Sequence, residues 1–208
     1  MARARSADYA LNREAIVRSA ARLFAQRGYP GTSMSDLARE CGISKALLYH
    51  YVSDKYELLR EITEGHVSRL EAIIGEVEAL RLPAPARLRE LIRRFVHEYA
   101  QARHDHGVLT QDVKFLEPRD RSRVLKKERA VVAAFAVAIG QARPELARAA
   151  LAKPLTMLLF GMINWMFTWL KPNGALAHDD VAPIVADLFL GGLGAVQAPA
   201  AVLVEARD

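Results

Sequence analysis

The 208-residue chain is poor in sulfur and in aromatic surface, and it has no long uninterrupted apolar run. A single cysteine, Cys41, rules out an internal disulfide and a cysteine-rich zinc site. Its expected role is that of a small buried side chain in a reducing cytosol. The most apolar stretch, Leu155 to Leu170, is broken by Thr156, Asn164 and Thr168 and falls short of the roughly 20 residues a spanning helix needs. It reads as a buried helix, and no membrane partner is expected. Arg3 and Arg5 near the start have no apolar run behind them, which excludes a signal peptide. No run alternates apolar and polar residues, and no β-branched block lies between hairpin turns, so strands are not expected. A G-x-S-x-G elbow, an HExxH pair and a Walker loop are all missing, so no catalytic residue is assigned and enzyme activity is not expected. His104, Asp105 and His106 come nearest to a metal cluster. On a helix, however, residues i and i+2 point to different faces. Only a loop at Gly107 would gather them, so the expected metal set is none.

What remains is helical periodicity from end to end. About half the residues are apolar and a quarter charged, and the net charge of +5 favours an anionic partner. Ile16, Ala20, Leu23 and Phe24 share one helix face, and Gly28 stops that helix. Thr32 or Ser33 can cap a short helix with Leu37 and Ala38 inside. Cys41-Gly42-Ile43 makes a tight turn, and Ser44 can cap a second short helix from Lys45 to about His50. Ser53 or Asp54 caps a long helix that reaches about Leu80. Pro83 and Pro85 break the chain, and a helix from about 86 to 104 follows. Gly107 interrupts the pattern before a short helix over 108–115. A helix over 119–142 begins strongly basic and ends apolar. Residues 145–170 read as one helix kinked at Pro154, and the last helix runs over 181–196 with Asp180 as its cap and Pro183 in its first turn. The tail after Pro199 reads as loose.

Residues 33–52 have the spacing of a helix-turn-helix: two short helices meet at Gly42, and the second offers its N-terminal end to a DNA major groove. Leu37, Ala38, Ile43 and Leu48 hold the pair together, which leaves Ser44, Lys45, Tyr49 and His50 as an outward polar set suited to phosphates and base edges.

The run TSMSDLARECGISKALLYHYVSDKYELL resembles the DNA-binding domain of the TetR family of bacterial repressors. The likeness rests on the Gly28-Tyr29 turn, hydroxyls before Leu37-Ala38, the Gly42-Ile43-Ser44 turn, the Leu48-Tyr49-His50-Tyr51 close and Lys55 opening the fourth helix. Val52 stands where phenylalanine is commoner. The resemblance implies an all-α fold: a three-helix helix-turn-helix domain over 8–56 and a helical effector-binding and dimerisation domain over 57–198. It implies that Thr32 and Ser33 meet phosphates, that Ser44, Lys45 and Ala46 face bases or phosphates, that Tyr49 and His50 reach the backbone or groove edge, and that Lys55 pins a phosphate. A homodimer on palindromic double-stranded operator DNA, in the bacterial cytosol and associated with the nucleoid, follows from the same likeness.

In the second half, FGMINWMFTWLKPNGALAHDDVAPIVADLFLGGL resembles a subgroup of the family that regulates fatty-acid and aromatic-acid catabolism and answers to acyl-CoA thioesters, among them phenylacetyl-CoA-responsive repressors of phenylacetate degradation. The implied effector is phenylacetyl-CoA or another acyl-CoA, and no cofactor is expected besides it. Its acyl part would lie against Phe95, Tyr99, Phe115, Phe135, Met157 and Phe160, with Asn164 on the thioester carbonyl and Arg119, Arg121, Arg123 and Lys126 near the CoA phosphates. Trp165, Phe167 and Trp169 recur at a spacing that fits either a core or a dimer seam. Trp165 and Trp169 with Leu188, Gly192 and Leu193 form the expected interface, where small residues let two helix pairs approach about a two-fold axis. Two other readings stay open: an efflux-pump repressor that senses hydrophobic drugs, and a helical interaction module without DNA binding.

Overall fold

The computed structural model describes residues 2–170 and 174–197, with side chains from Tyr9 onward apart from that of Phe167. The tail expected after Pro199 and most of the turn after Leu170 lie outside the described residues. Ten α-helices and one 3-10 turn follow one another, with no strand among the described residues. They are α1 (Ala2–Arg27), α2 (Met34–Glu40), α3 (Lys45–Tyr51), α4 (Lys55–Ala79), α5 (Ala84–Gln101), α6 (Arg103–Asp112), a 3-10 turn (Val113–Phe115), α7 (Pro118–Ala142), α8 (Pro144–Arg148), α9 (Ala152–Trp169) and α10 (His178–Leu193). No helix among the described residues is long and apolar enough to cross a membrane.

The helix ends follow local chemistry. Gly28 closes α1 with φ 75°, and Gly42 makes the α2–α3 turn with φ 66°, a backbone state that costs an L-residue with a Cβ. The Asp54 carboxylate accepts the Glu57 N–H at 2.8 Å and so caps α4. Three expected boundaries differ. Residues 145–170 are two helices, because Ala150 takes a left-handed φ of 55° between α8 and α9. Pro154 then falls in the first turn of α9, where its missing N–H would have had no partner. The last helix starts at His178 because Asp180 reaches back and accepts the Ala177 N–H at 2.8 Å, so Pro183 lies inside the helix rather than in its first turn. Gly107 does not interrupt anything: it sits within α6, where an added Cβ would come 3.6 Å from the Ala25 Cβ. With that stretch helical, His104 is exposed and His106 buried, and no group of three or more potential metal ligands gathers among the described residues.

Two compact units interleave along the chain. The first holds Met1–Ser68 and Ala102–Leu125, and the second Arg69–Gln101 and Lys126–Asp208. The reason lies in the apolar side chains. Val108, Leu109, Leu116 and Val124 share a core with Ile16, Phe24, Leu37, Leu48, Leu58 and Leu59. The core of the second unit joins α5, α10, α9 and the second half of α7 through residues such as Leu88, Phe95, Phe135, Phe160, Val185 and Phe189.

On the second unit, Glu90 lies between Arg93 and Arg94, at 2.7 Å from each guanidinium. Hydrogen bonds from Arg93 and then Arg94 hold its carboxyl down at about 2. A depressed carboxyl stabilises the fold above its ordinary value of 4.5, and that contribution fades as the pH drops toward 2. Denaturant unfolding of Glu90→Gln should therefore show a loss of about 1 kcal/mol at neutral pH, after allowing for solvent screening, that shrinks toward zero at pH 2–3.

Candidate nucleic-acid interface

α3 is only seven residues long, and two devices hold it in place. The Ser44 hydroxyl accepts the Leu47 N–H at 3.1 Å at its start, and Leu48 is fully buried at its centre. α2 is matched to it: Ser33 caps it, and Asp36 returns a bond to the Ser33 N–H at 3.0 Å. The turn is closed by the Ile43 N–H on the Ala38 carbonyl at 3.0 Å. With Leu48 inward, Ser44, Lys45, Ala46, Leu47, Tyr49 and His50 all face solvent. The Lys45 ammonium stands 6.0 Å from the Tyr49 ring, one turn away. This exposed set has a helix N-terminus, a cation, hydroxyls, an imidazole and two apolar groups, Ala46 and Leu47. It suits phosphate contacts at one end and base edges along the middle. Leu47, which sequence reasoning passed over, adds a side chain able to meet a thymine methyl. Tyr51, by contrast, packs on Tyr9 at 4.8 Å between ring centres, and its hydroxyl accepts from Asn12 at 3.2 Å.

Two residues expected at phosphates are placed differently. Thr32 is 1% exposed, and its hydroxyl donates to the Gly28 carbonyl at 3.0 Å, which leaves Ser33 as the exposed hydroxyl at the start of α2. The Lys55 ammonium donates to the carbonyls of Tyr29 at 2.9 Å and Thr32 at 3.0 Å and sits 4.3 Å from the Tyr29 ring. An ammonium has three hydrogens, so one remains for a phosphate.

The residues expected to form the effector site divide between the units. Phe95, Phe135 and Phe160 do come together in the second unit, with ring centres 4.7 Å (Phe95–Phe135) and 5.0 Å (Phe135–Phe160) apart, and Tyr99 lies 6.1 Å from Phe95. Asn164 follows Phe160 by one turn of α9, and its Oδ1 is buried with no hydrogen-bond partner. Burial pushes the Tyr99 hydroxyl and the nearby Glu128 carboxyl above their ordinary ranges. Phe115, Arg119, Arg121 and Arg123 belong to the first unit, and only Lys126 of the basic set belongs to the second. Phe115 packs on Tyr29 at 5.7 Å, and Arg123 is paired with Glu64 and Asp120. Met157 is exposed on the outer side of α9, away from the aromatic cluster.

That outer side continues. Leu158, Met162, Trp165 and Trp169 are exposed along α9, and Ile184 and Leu188 along α10 beside the exposed Gly191 and Gly192. Leu193 is 3% exposed and belongs to the core instead, because the α10 face that carries it turns toward α5. The Phe167 side chain lies outside the described ones. A groove of about 440 Å³ in the same unit is flanked by Arg89 and Arg143, but both are already paired, with Asp187 and Glu145.

Comparison with known proteins agrees with this geometry. Residues 16–62 match the family described as bacterial regulatory proteins, tetR family, and residues 81–193 match the tetracyclin repressor-like C-terminal domain. The HTH-type transcriptional repressor KstR2 of Mycolicibacterium smegmatis is 25% identical over 197 residues, 88% of this chain and 91% of its own. A TetR-family transcriptional regulator from Bordetella parapertussis superposes with a TM-score of 0.82 at 34% identity, over 90% of this chain and 98% of that one. AibR, in complex with isovaleryl coenzyme A and operator DNA, superposes with a TM-score of 0.72 at 27% identity, over 90% and 99% of the two chains.

The two kinds of site residue should separate in experiment. Lys45→Ala and Tyr49→Ala should keep the melting temperature and weaken binding to a selected DNA site by about 1–3 kcal/mol each. Thr32→Val should instead lower stability, by about 1 kcal/mol for the lost bond to Gly28. Gel-shift titration beside thermal melts distinguishes them, and a Tyr49→Ala protein with wild-type affinity would remove Tyr49 from the interface.

Proposed function

The chain belongs to the TetR family of bacterial transcription regulators, and from that premise we propose that it is a homodimeric repressor of acyl-CoA catabolism genes, released from a palindromic operator by an acyl-CoA thioester. The observation that carries the dimer is the pair of apolar stripes on α9 and α10. Trp165 is 67% exposed and Leu188 64% exposed, and contiguous apolar surface of this kind marks an interaction site. A second copy placed about a two-fold axis would cover both stripes with the same residues. Two recognition helices would then read half-sites about 34 Å apart, one helical turn of DNA.

The effector class is supported by the likeness to AibR, which was captured with isovaleryl coenzyme A and operator DNA. It is supported within the chain by the aromatic cluster of Phe95, Phe135 and Phe160, which matches a short branched or aromatic acyl group in chemistry. Phenylacetyl-CoA is the first candidate, with control of phenylacetate or fatty-acid catabolism as the corresponding role. With Arg119, Arg121 and Arg123 in the other unit, Lys126 is the remaining cation of that set for the CoA phosphates.

A second reading has its own observation. Glu128 is a half-buried carboxyl, with its acidity weakened by burial and Tyr99 close by, and a closed aromatic site with an acid suits a hydrophobic cation. That would make the chain an efflux-pump repressor. Gel shifts at fixed protein decide between the two. Phenylacetyl-CoA or another acyl-CoA should release the DNA while free CoA and free acids do not. Release by a cationic dye alone, across a broad acyl-CoA panel, would replace the acyl-CoA reading with the efflux one. Sedimentation tests the assembly: Leu188→Arg should yield folded monomers, whereas Leu193→Arg should lower the melting temperature by burying an unpaired charge, at a cost of several kcal/mol. A Leu188→Arg protein that remains dimeric would move the interface elsewhere.

A further inference from the structure

The turn from Gly28 to Thr32, between α1 and α2, is gripped from two sides. Lys55, at the start of α4, holds the carbonyls of Tyr29 and Thr32. From the other side Asp112, the last residue of α6, accepts the Tyr29 N–H at 3.1 Å, across 83 positions of sequence. The Tyr29 ring is fixed as well, edge-on to Phe24 at 5.4 Å. Thr32 closes the turn on the Gly28 carbonyl, and the next residue, Ser33, caps α2. Only Pro30, Gly31 and Thr32 separate Tyr29 from the Ser33 cap.

Asp112 is 4% exposed. A buried carboxylate that accepts a backbone N–H is a poor way to stabilise a fold, since an apolar residue at such a position often serves stability as well or better. It is a good way to fix where α6 ends relative to one particular peptide, because a hydrogen bond is directional and packing is not. The chain passes from the second compact unit to the first between Gln101 and Ala102, at the head of the helix that ends in Asp112.

We propose that Asp112 is a positioning residue for operator binding: the α6 carboxylate orients α2 and α3 by holding the Tyr29 N–H, while Lys55 of α4 holds the carbonyl of the same residue. The proposal rests on DNA binding through α3 and requires no particular effector.

The test uses the full chain and an operator selected by the wild-type protein from random DNA. Asp112→Asn keeps the shape and an acceptor oxygen, Asp112→Ser keeps a shorter acceptor, and Asp112→Ala keeps none. Affinity should fall in that order, with Asp112→Asn near wild type and Asp112→Ala about tenfold weaker, the scale of a coupling between sites. The salt slope should stay constant because no phosphate contact is lost. Amide hydrogen exchange should quicken at Tyr29 in step with the loss of affinity while the amides of the second unit remain as in wild type. Asparagine keeps both the shape and the acceptor, so the result that a bulk packing role would not produce is the loss of protection confined to the Tyr29 amide. Wild-type affinity in Asp112→Ala with the Tyr29 amide unprotected would overturn the proposal, as would a loss of affinity accompanied by faster exchange throughout the first unit. Should the alanine variant not fold, equal affinities for the asparagine and serine variants at unequal Tyr29 protection would overturn it too.

Discussion

A helix of seven residues does not hold itself together in water, because nucleation costs more than so few hydrogen bonds return. Both α2 and α3 are of this length, and the surface that α3 offers to DNA depends on overcoming that cost. The caps at Ser33 and Ser44 supply partners for the first N–H groups, and Leu37 and Leu48 anchor each helix at zero exposure. Two short helices provide too little apolar area for this on their own. The core beneath them therefore draws on α1, on the first turns of α4, and on α6 and the start of α7, which lie far along the chain. The interleaved units follow from that need: the DNA-reading element is stable only as part of a core assembled from both halves of the sequence.

Much of this was legible before any coordinates. Ser44, Gly28 and Gly42 announced their caps and turns because each acts on its immediate neighbours, and local chemistry is what a sequence displays. The helical class and the exposed face of α3 were legible for the same reason. Thr32 and Ser33 were not separable, since both are hydroxyls before a helix, and only the three-dimensional turn decides that Thr32 points inward to Gly28. Leu188 and Leu193 are both leucines on one helix, and which of them meets α5 depends on the rotation of α10 about its axis. Gly107 read as a break because an isolated glycine weakens a helix. Its place against Ala25 is a long-range fact with no local signature.

Charge was the least legible property. The run from Arg119 to Arg129 looks like a cationic surface when read as a list of residues. In the fold Arg123 lies between Glu64 and Asp120, and Lys127 is bonded to Glu71 at 2.8 Å. Both acceptors, Glu64 and Glu71, come from α4, whose carboxylates gave no hint of a partner some 56–59 positions away. A formal charge of +5 thus says little about where free cations stand, and the exposed Lys45 on α3 matters more to an anion than a larger count of arginines already in pairs.

The second unit is organised around packed aromatic rings. Phe95, Phe135 and Phe160 fill the space between α5, α7 and α9, and the recess beside them, lined by Val96, Tyr99, Ile163, Met166 and His178, holds only about 10 Å³. That is room for one water at most. On the proposed effector reading, an acyl group that takes the space these rings fill has to part them, and its affinity would be reduced by the small fraction of open molecules. This cost is also what makes a switch. A ligand that bound closed and open cores equally would shift nothing, whereas one that requires the open core draws the whole population with it. On the same proposed reading, the Asn164 Oδ1 would favour a ligand that carries a donor. It is a buried acceptor without a donor, one turn from Phe160, and an unmade hydrogen bond of that kind costs about 1–3 kcal/mol until something supplies it. A thioester carbonyl cannot donate, but the amide N–H groups of a pantetheine arm can. The polar specificity of the site would then lie in the arm next to the thioester, with the rings left to read the size of the acyl group.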